Sequence, residues 1–152
     1  MRIKTLCLAI LGSTALAATA AQANNFKDVD AAIDYRQAAF EVMAHNFADI
    51  GAMVKGKKAF DNDLLLMRAK NVAALAMLPQ EGFIAGEDNK DSDALPTIWK
   101  NQADFSAKFT AMQANTQTLL QAAQSGDESQ IKQAFAATGK SCKACHDLYK
   151  KD

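Results

Sequence analysis

The stretch Cys142-Lys143-Ala144-Cys145-His146 lies close to the C-terminus of this 152-residue chain. Two cysteines separated by two residues and followed at once by a histidine form the pattern for covalent haem attachment. Each thiol can add to one of two vinyl groups on the same edge of the porphyrin, so the sulfurs must lie about one helical turn apart. A neutral imidazole can then bind the iron. The stretch predicts one haem c per chain, attached through Cys142 and Cys145, with His146 as axial ligand.

Two other readings of a Cys-x-x-Cys pair are a redox disulfide and half of a zinc site. A zinc site needs two more ligands, and outside the motif the chain has only His45 and Cys7, the latter in a segment expected to be removed. A thioredoxin-like motif belongs in a βαβ pattern, and no strand pattern surrounds this one. Covalent haem is therefore favoured over both.

The motif also belongs to a longer helical repeat. Spacings of 4, 3, 4, 3 and 4 residues separate Ile131, Phe135, Thr138, Cys142, Cys145 and Tyr149. This heptad seam places both cysteines on the inward face of the last helix. The haem is therefore predicted to lie in the core of a helical bundle.

Three further helices are indicated upstream. Helical spacing of apolar residues runs from Val29 to Lys55, starting from a cap at Asp28 or Asp30, and the turn Lys55-Gly56-Lys57-Lys58 ends it. Asp61 can cap a second helix that continues through Leu78 until Pro79 stops it.

A long loop from Gln80 to Pro96 leads to a third helix, which is expected to run unbroken to about Gln124. Asp127 can cap the fourth. Two short connections and one longer crossover predict an all-α fold, an antiparallel four-helix bundle with up-down-up-down topology and the haem in its core.

Residues 1–23 read as a cleaved secretory signal peptide. Arg2 and Lys4 precede an apolar run, and Ala21-Gln22-Ala23 forms a small-residue cleavage site. Cleavage would leave residues 24–152 as a single domain of 129 residues, with a net charge of −2 because two of the 17 basic residues are removed and none of the 17 acidic ones. This balance argues against a nucleic-acid partner or a dedicated membrane-surface role. No membrane insertion of the mature chain is expected. After cleavage the only cysteines left are those of the motif, which suits haem attachment outside the cytoplasm. The predicted location is therefore the periplasm.

The chain resembles the class II c-type cytochromes, and most of all the cytochromes c′. The matching stretches are Tyr35-Arg36-Gln37-Ala38-Ala39-Phe40, Lys55-Gly56-Lys57-Lys58, Pro96-Thr97-Ile98-Trp99 and the run from Gly139 to Lys150. The resemblance spans the whole chain after residue 23. It implies a four-helix bundle, usually paired as a homodimer, with haem near one end. Met53 and Leu66 are apolar residues expected to be exposed for such pairing.

The same resemblance assigns roles around the haem. Low-spin relatives carry a methionine where this chain has Phe40, and a phenyl ring cannot ligate iron, so a five-coordinate, high-spin haem is expected. The alternative is a low-spin electron-transfer haem with Met43 as sixth ligand, since a thioether is a good haem ligand; packing is the more common use of such a methionine. His45 is expected at the surface.

Arg36 and Gln37 would hydrogen-bond a haem propionate, with a solvated helix face as the alternative. Lys150 replaces an arginine that many relatives place on the proximal side, and a lysine is a point charge and not a stacking plane. Aromatic residues that either line the pocket or pack in the core are Trp99, Phe105, Phe109 and Phe135.

Three functions are compatible with these residues. The first is binding of NO or CO at a haem beside the apolar Phe40. The second is electron transfer with an unidentified redox partner, docked through Lys140, Lys143, Lys150 and Lys151; helix-end charge compensation explains these lysines equally well. The third, a weak peroxidase activity, comes last because no acid–base pair is expected beside the iron. The chain is therefore predicted to be no enzyme.

Overall fold

The computed structural model describes residues 25–84 and 92–151. The signal peptide predicted for residues 1–23 lies outside them. The helices are α1 (Val29–Val54), α2 (Asn62–Leu75), α3 (Thr97–Lys100), α4 (Gln102–Ser125) and α5 (Glu128–Tyr149), with a short 3-10 helix (Pro79–Gly82) after α2.

Aspartate caps define where three of the helices begin. The side chains of Asp28, Asp61 and Asp127 each accept a hydrogen bond from a backbone N–H in the first turn that follows, which satisfies a donor that the helix itself cannot. Gly56 and Gly126 end α1 and α4 with φ values of +68° and +71°, a conformation that favours glycine. These predicted helix boundaries are confirmed.

The four long helices pack as an antiparallel bundle. Helix α4 packs against α2 and α5, α1 packs against α2, and the contact between α1 and α5 is less extensive than these three. The centre is filled by almost completely buried aliphatic side chains: Ile50, Leu65, Val72, Ile98, Leu119 and Ile131. The predicted four-helix bundle is confirmed, and the looser contact between α1 and α5 leaves space inside it.

Two helix boundaries differ from the expectation. The third helix is broken at Asn101 (φ −128°, ψ 42°), which ends α3 and begins α4. Asparagine is a weak helix former, so it leaves the helical conformation at low cost. Helix α2 ends at Leu75 and not, as the sequence predicted, at Leu78. The reason is Pro79, whose nitrogen has no hydrogen to donate to the carbonyl of Leu75.

The C-terminal end of α5 is fastened by the returning crossover. The N–H of Leu95 donates to the carbonyl of Tyr149 (2.9 Å), and the N–H of Lys151 donates to the carbonyl of Asp93 (2.8 Å). These bonds flank an antiparallel bridge between Ala94 and Lys150. The crossover therefore holds the end of the helix that carries the haem motif.

The expectation that Met53 is exposed is wrong. Its side chain is only 2 % exposed, because it lies one turn after Ile50 on the same inward face of α1. Leu66 is half-buried, and the large apolar side chains that are exposed on α1 and α2 are Val42 and Met67. Among the residues that the structure describes, no helix has the length and apolar character that crossing a membrane requires.

Candidate haem pocket

A cavity of about 520 Å³ lies inside the bundle between α1, α4, α5 and the ends of the crossover. Its walls are mostly apolar. The motif residues Cys142, Cys145 and His146 all line it, and so do Thr138 and Tyr149 from the same seam of α5. The predicted inward orientation of the cysteines is therefore confirmed.

The two thiols and the imidazole differ in their surroundings. Cys142 and Cys145 are free and half-buried, and burial raises the pKa of both thiols, so that they are protonated at neutral pH. For Cys145 the positive charge of Lys108 opposes part of this rise. His146 is exposed overall, but partial burial of its ring, and then the charge of Lys150, lower its pKa. This keeps its imidazole neutral, the form that binds metals.

Helix α1 supplies the wall that faces the cavity from the other side of the bundle. Phe40 and Met43 both line the cavity; Met43 is 7 % exposed and Phe40 is partly buried. Ala44 and Phe47 continue this wall. His45 points elsewhere and is exposed, as predicted.

An aromatic residue that the sequence did not single out completes the pocket. Phe83 lies just after the 3-10 helix, in the segment expected to be a polar crossover, and it lines the cavity. Its ring contacts Phe40, Phe105 and Phe109 at centroid distances of 6.5, 4.9 and 5.7 Å. The sequence feature that could have identified Phe83 is its aromatic side chain in a loop otherwise rich in Gly, Asp, Asn and Ser. Trp99 and Phe135, by contrast, pack against the core without lining the cavity.

Arg36 is buried in the cavity wall with only 2 % of its surface exposed. Its Nη1 donates to the carbonyl of Gly82 (2.8 Å) and its Nη2 to Oγ of Ser92 (2.6 Å). The guanidinium also lies 4.3 Å from the centroid of the Phe83 ring. The alternative of a solvated surface arginine is therefore wrong, while Gln37, one residue further, is exposed and also lines the cavity.

Charged side chains gather at the edge of the cavity next to Ser92. Lys150 is exposed, lines the cavity and forms an ion pair with Asp93 at 3.3 Å. Lys151 donates from Nζ to the carbonyl of Ser92 (2.7 Å). Arg36 reaches the same serine, so this edge is polar while the remainder of the cavity is aromatic and aliphatic.

These features fit a haem. The volume falls in the range of about 300–1,000 Å³ typical of cofactor pockets, and the walls suit an apolar macrocycle. Cys142 and Cys145 offer two thiols on one helix face, His146 offers a neutral nitrogen, and the polar edge with Arg36 and Gln37 suits two propionates.

Comparison with known proteins agrees with this chemistry. The family model for cytochrome C′ matches residues 31–150. A cytochrome c′ from Alcaligenes xylosoxydans xylosoxydans is 36 % identical over 126 residues, covering 83 % of this chain and 98 % of that protein. The solved cytochrome c prime from Shewanella frigidimarina is 58 % identical with a TM-score of 0.83, covering 84 % of this chain and 100 % of its own.

A second solved structure is a nitric oxide complex of a variant of cytochrome c prime from Alcaligenes xylosoxidans. It is 36 % identical to this chain, with a TM-score of 0.79, and the match covers 84 % of this chain and 99 % of that one. Bundle, pocket, motif and similarity over almost the full length of these relatives agree. The chain belongs to the cytochrome c′ family.

Proposed function

We propose that this c-type haem cytochrome binds NO and CO at a five-coordinate, high-spin haem and also exchanges electrons. The observation that carries the proposal is the cavity itself, which has Cys142, Cys145 and His146 on one wall and Phe40 on another. Bound haem would supply an iron centre that takes up a small neutral diatomic ligand or one electron.

The cysteines would hold the cofactor. Each thiol would add across one vinyl group of the haem, its sulfur bonding to one carbon and its hydrogen passing to the other, so that no oxidant would be needed. Because Cys142 and Cys145 are three residues apart on one helix, both sulfurs face the same edge of the pocket. His146 follows at once and would serve as the axial ligand.

The wall around Phe40 would leave room for an incoming ligand at the bound haem. The residues that follow it along this wall are Met43, Ala44 and Phe47, and none of their side chains donates a hydrogen bond. Dioxygen, which gains from such a donor when it binds, is disfavoured relative to NO and CO. Support for NO comes from the Alcaligenes relative that has been solved with it.

The absorption and electron paramagnetic resonance spectra of the haem-loaded protein test this proposal. High-spin ferric signals with no sixth protein ligand are expected, and CO should bind to the reduced form. A low-spin spectrum with a methionine–iron band would instead support the alternative in which Met43 ligates the iron. Pigment that is lost in denaturant would contradict covalent attachment.

Electron transfer uses the same cofactor, but its docking surface is less basic than the sequence suggests. Lys143 donates to the carboxylate of Asp147 (2.6 and 2.8 Å), and Lys150 pairs with Asp93. These pairs offset part of the positive charge expected to attract an acidic redox partner. We therefore favour a partner whose binding depends only weakly on salt concentration, which an electron-transfer assay at several ionic strengths would measure.

Catalysis remains the least supported function. Of the described residues that line the cavity, His146 is the only histidine, so the cavity offers no second imidazole to act as an acid or base in peroxide cleavage.

We also propose that residues 1–23 are removed on export to the periplasm, and that the mature chain pairs as a homodimer through α1 and α2, where Val42 and Met67 are exposed. Mass spectrometry of the exported protein and its sedimentation test these two points.

A further inference from the structure

We propose that Arg36 is a positioning residue that clamps Phe83 against Phe40, and that Phe83 thereby limits the room for a small ligand in the pocket. The inference rests on the proposed gas binding and concerns two residues that the haem motif does not include. It assigns to Phe83 a role in ligand selection and to Arg36 a role beyond binding a propionate.

Phe83 is in a position to control this space. Its ring touches Phe40 edge-on at an interplanar angle of 71°, and it is bounded by Phe105 and Phe109 at 66° and 71°. Aromatic pairs in such edge-to-face contact are mutually attractive. The rings therefore hold one another, and Phe40 cannot turn toward α4 and the crossover without displacing Phe83 or Phe109 (6.2 Å away).

Arg36 holds both the ring and the backbone of this segment. Its guanidinium lies 4.3 Å from the centre of the Phe83 ring, and its Nη1 donates to the carbonyl of the preceding residue, Gly82. The bond from Nη2 to Ser92 (2.6 Å) fixes the orientation of the guanidinium plane. A cation–π contact is strongest when it is desolvated, and Arg36 is almost fully buried.

The contact between Arg36 and the segment around Phe83 depends on the glycine at position 82. A Cβ atom on Gly82 would lie 2.7 Å from the carbonyl oxygen of Ala32 and 2.9 Å from Cβ of Arg36. The 3-10 helix can therefore approach α1 this closely only because residue 82 has no side chain. The approach brings the Gly82 carbonyl to Arg36 and the next residue, Phe83, into the cavity.

Arg36 and Phe40 lie one turn apart on α1, so the clamp joins the crossover to the stretch of α1 that carries Phe40. Loss of either Arg36 or Phe83 should free the Phe40 ring and enlarge the space beside it. Substitution of either residue removes the same contact, so the effects of the two substitutions on the rate of ligand binding should not be additive.

The test measures the rate of CO association with the reduced, haem-loaded protein by flash photolysis. We expect Phe83→Ala to raise this rate about tenfold, and Arg36→Met to raise it in the same direction. Arg36→Lys should lie between Arg36→Met and the wild type, since it keeps the cation but not the planar fork. The double variant Arg36→Met/Phe83→Ala should be no faster than Phe83→Ala alone.

The matched control is Phe60→Ala, which removes a partly buried ring that packs on the core but does not line the cavity. It should destabilise the protein while leaving the CO rate nearly unchanged. A second readout needs no gas: exchange of the Phe83 and Ala94 amide hydrogens, which bond to the carbonyl of Gln80 and Oγ of Ser92, should be faster in Arg36→Met than in Phe60→Ala.

A wild-type CO rate in Phe83→Ala, or additive effects of the two substitutions, would overturn the inference. If the wild-type protein binds no CO at all, the proposed function fails and the selection role fails with it. Hydrogen exchange would then still decide whether Arg36 clamps Phe83.

Discussion

The phenol of Tyr149 donates a hydrogen bond to the carboxylate of Asp104 at 2.5 Å, which joins the last residue of α5 to the first turn of α4. The ring of Tyr149 is buried and packs edge-on against Phe105 at a centroid distance of 5.3 Å. This bond therefore braces the end of the helix that carries His146 against the neighbouring helix, close to the polar edge of the cavity.

The bond predicts an unusual titration. The pKa of Tyr149 is raised from 10.0 to about 12, chiefly by the hydrogen bond to Asp104, then by burial of the phenol and by the charge of Asp104. The chain has two tyrosines, so Tyr35→Phe leaves Tyr149 as the only phenol to titrate. Its absorbance change should centre near pH 12, and adding Asp104→Asn should move it back toward 10. A midpoint near 10 in the Tyr35→Phe protein would contradict the hydrogen bond.

The same shift makes stability depend on alkaline pH. The folded-state pKa of Tyr149 is raised above its unfolded value, so the stabilisation is complete below pH 10.0 and is lost as pH rises toward about 12. Tyr149→Phe should lower the thermal midpoint at neutral pH and flatten this alkaline decline.

Acid stability is predicted to depend on Asp49, which joins α1 to α2 and the turn between them. Its carboxylate accepts hydrogen bonds from Lys58 (2.7 Å) and Arg68 (2.8 Å), and these bonds lower its pKa below 3.8. A lowered pKa gives stability that is present above 3.8 and lost as pH falls through the folded-state value. Asp49→Asn should therefore lower the thermal midpoint at pH 7, and the difference should shrink below pH 4.

The control for Asp49 is Asp34→Asn, which removes an exposed carboxylate from the same helix. It should leave the thermal midpoint nearly unchanged at both pH values. A difference between Asp49→Asn and wild type that persists undiminished in acid would show that lost packing, and not the ion pairs, is responsible.

Close packing around Gly51 predicts the outcome of adding one methyl group. A Cβ atom there would lie 2.9 Å from Cζ of Phe135, whose ring is stacked on Phe47 at a centroid distance of 4.4 Å. Alanine favours a helix by about 1 kcal/mol over glycine, but overpacking costs about 1–3 kcal/mol. Gly51→Ala should therefore be neutral to destabilising, by up to about 2 kcal/mol.

A compensating variant separates the two effects at Gly51. Phe135→Leu removes the tip of the ring that the new methyl group would meet, so Gly51→Ala should be better tolerated in that background, as measured by denaturant unfolding. If Gly51→Ala changes the free energy of unfolding equally in both backgrounds, the Phe135 ring moves aside at little cost.

The parts of the structure that local sequence patterns specify were predictable. The heptad seam of α5 is local, so the inward positions of Cys142 and Cys145 followed from spacing alone, and the caps at Asp28, Asp61 and Asp127 followed from side chains that bond to their own first turn. The clamp between Arg36 and Phe83 could not be derived in this way. It joins residues 47 positions apart through a loop with no periodicity, and burial of an arginine depends on partners that only the folded chain brings together.

Covalent attachment predicts a graded response to loss of the thiols. Cys142→Ala and Cys145→Ala should each leave the haem attached by one bond at most, because the remaining thiol still faces the cavity. The measurement is the haem stain and the mass of the denatured chain. Replacing both cysteines should abolish staining, and unchanged staining in the double variant would contradict thioether attachment.

The residue at position 40 is predicted to decide the spin state. Phe40 and Met43 both line the cavity from α1, but a phenyl ring has no lone pair to offer, whereas a thioether binds haem iron. Phe40→Met should therefore convert the haem toward a low-spin, six-coordinate form, visible in the absorption spectrum. Met43→Leu is the matched control: if Met43 only packs, the spectrum should not change. A low-spin wild type that becomes high-spin in Met43→Leu would reverse the assignment, and no change in Phe40→Met would mean that Phe40 does not face the iron.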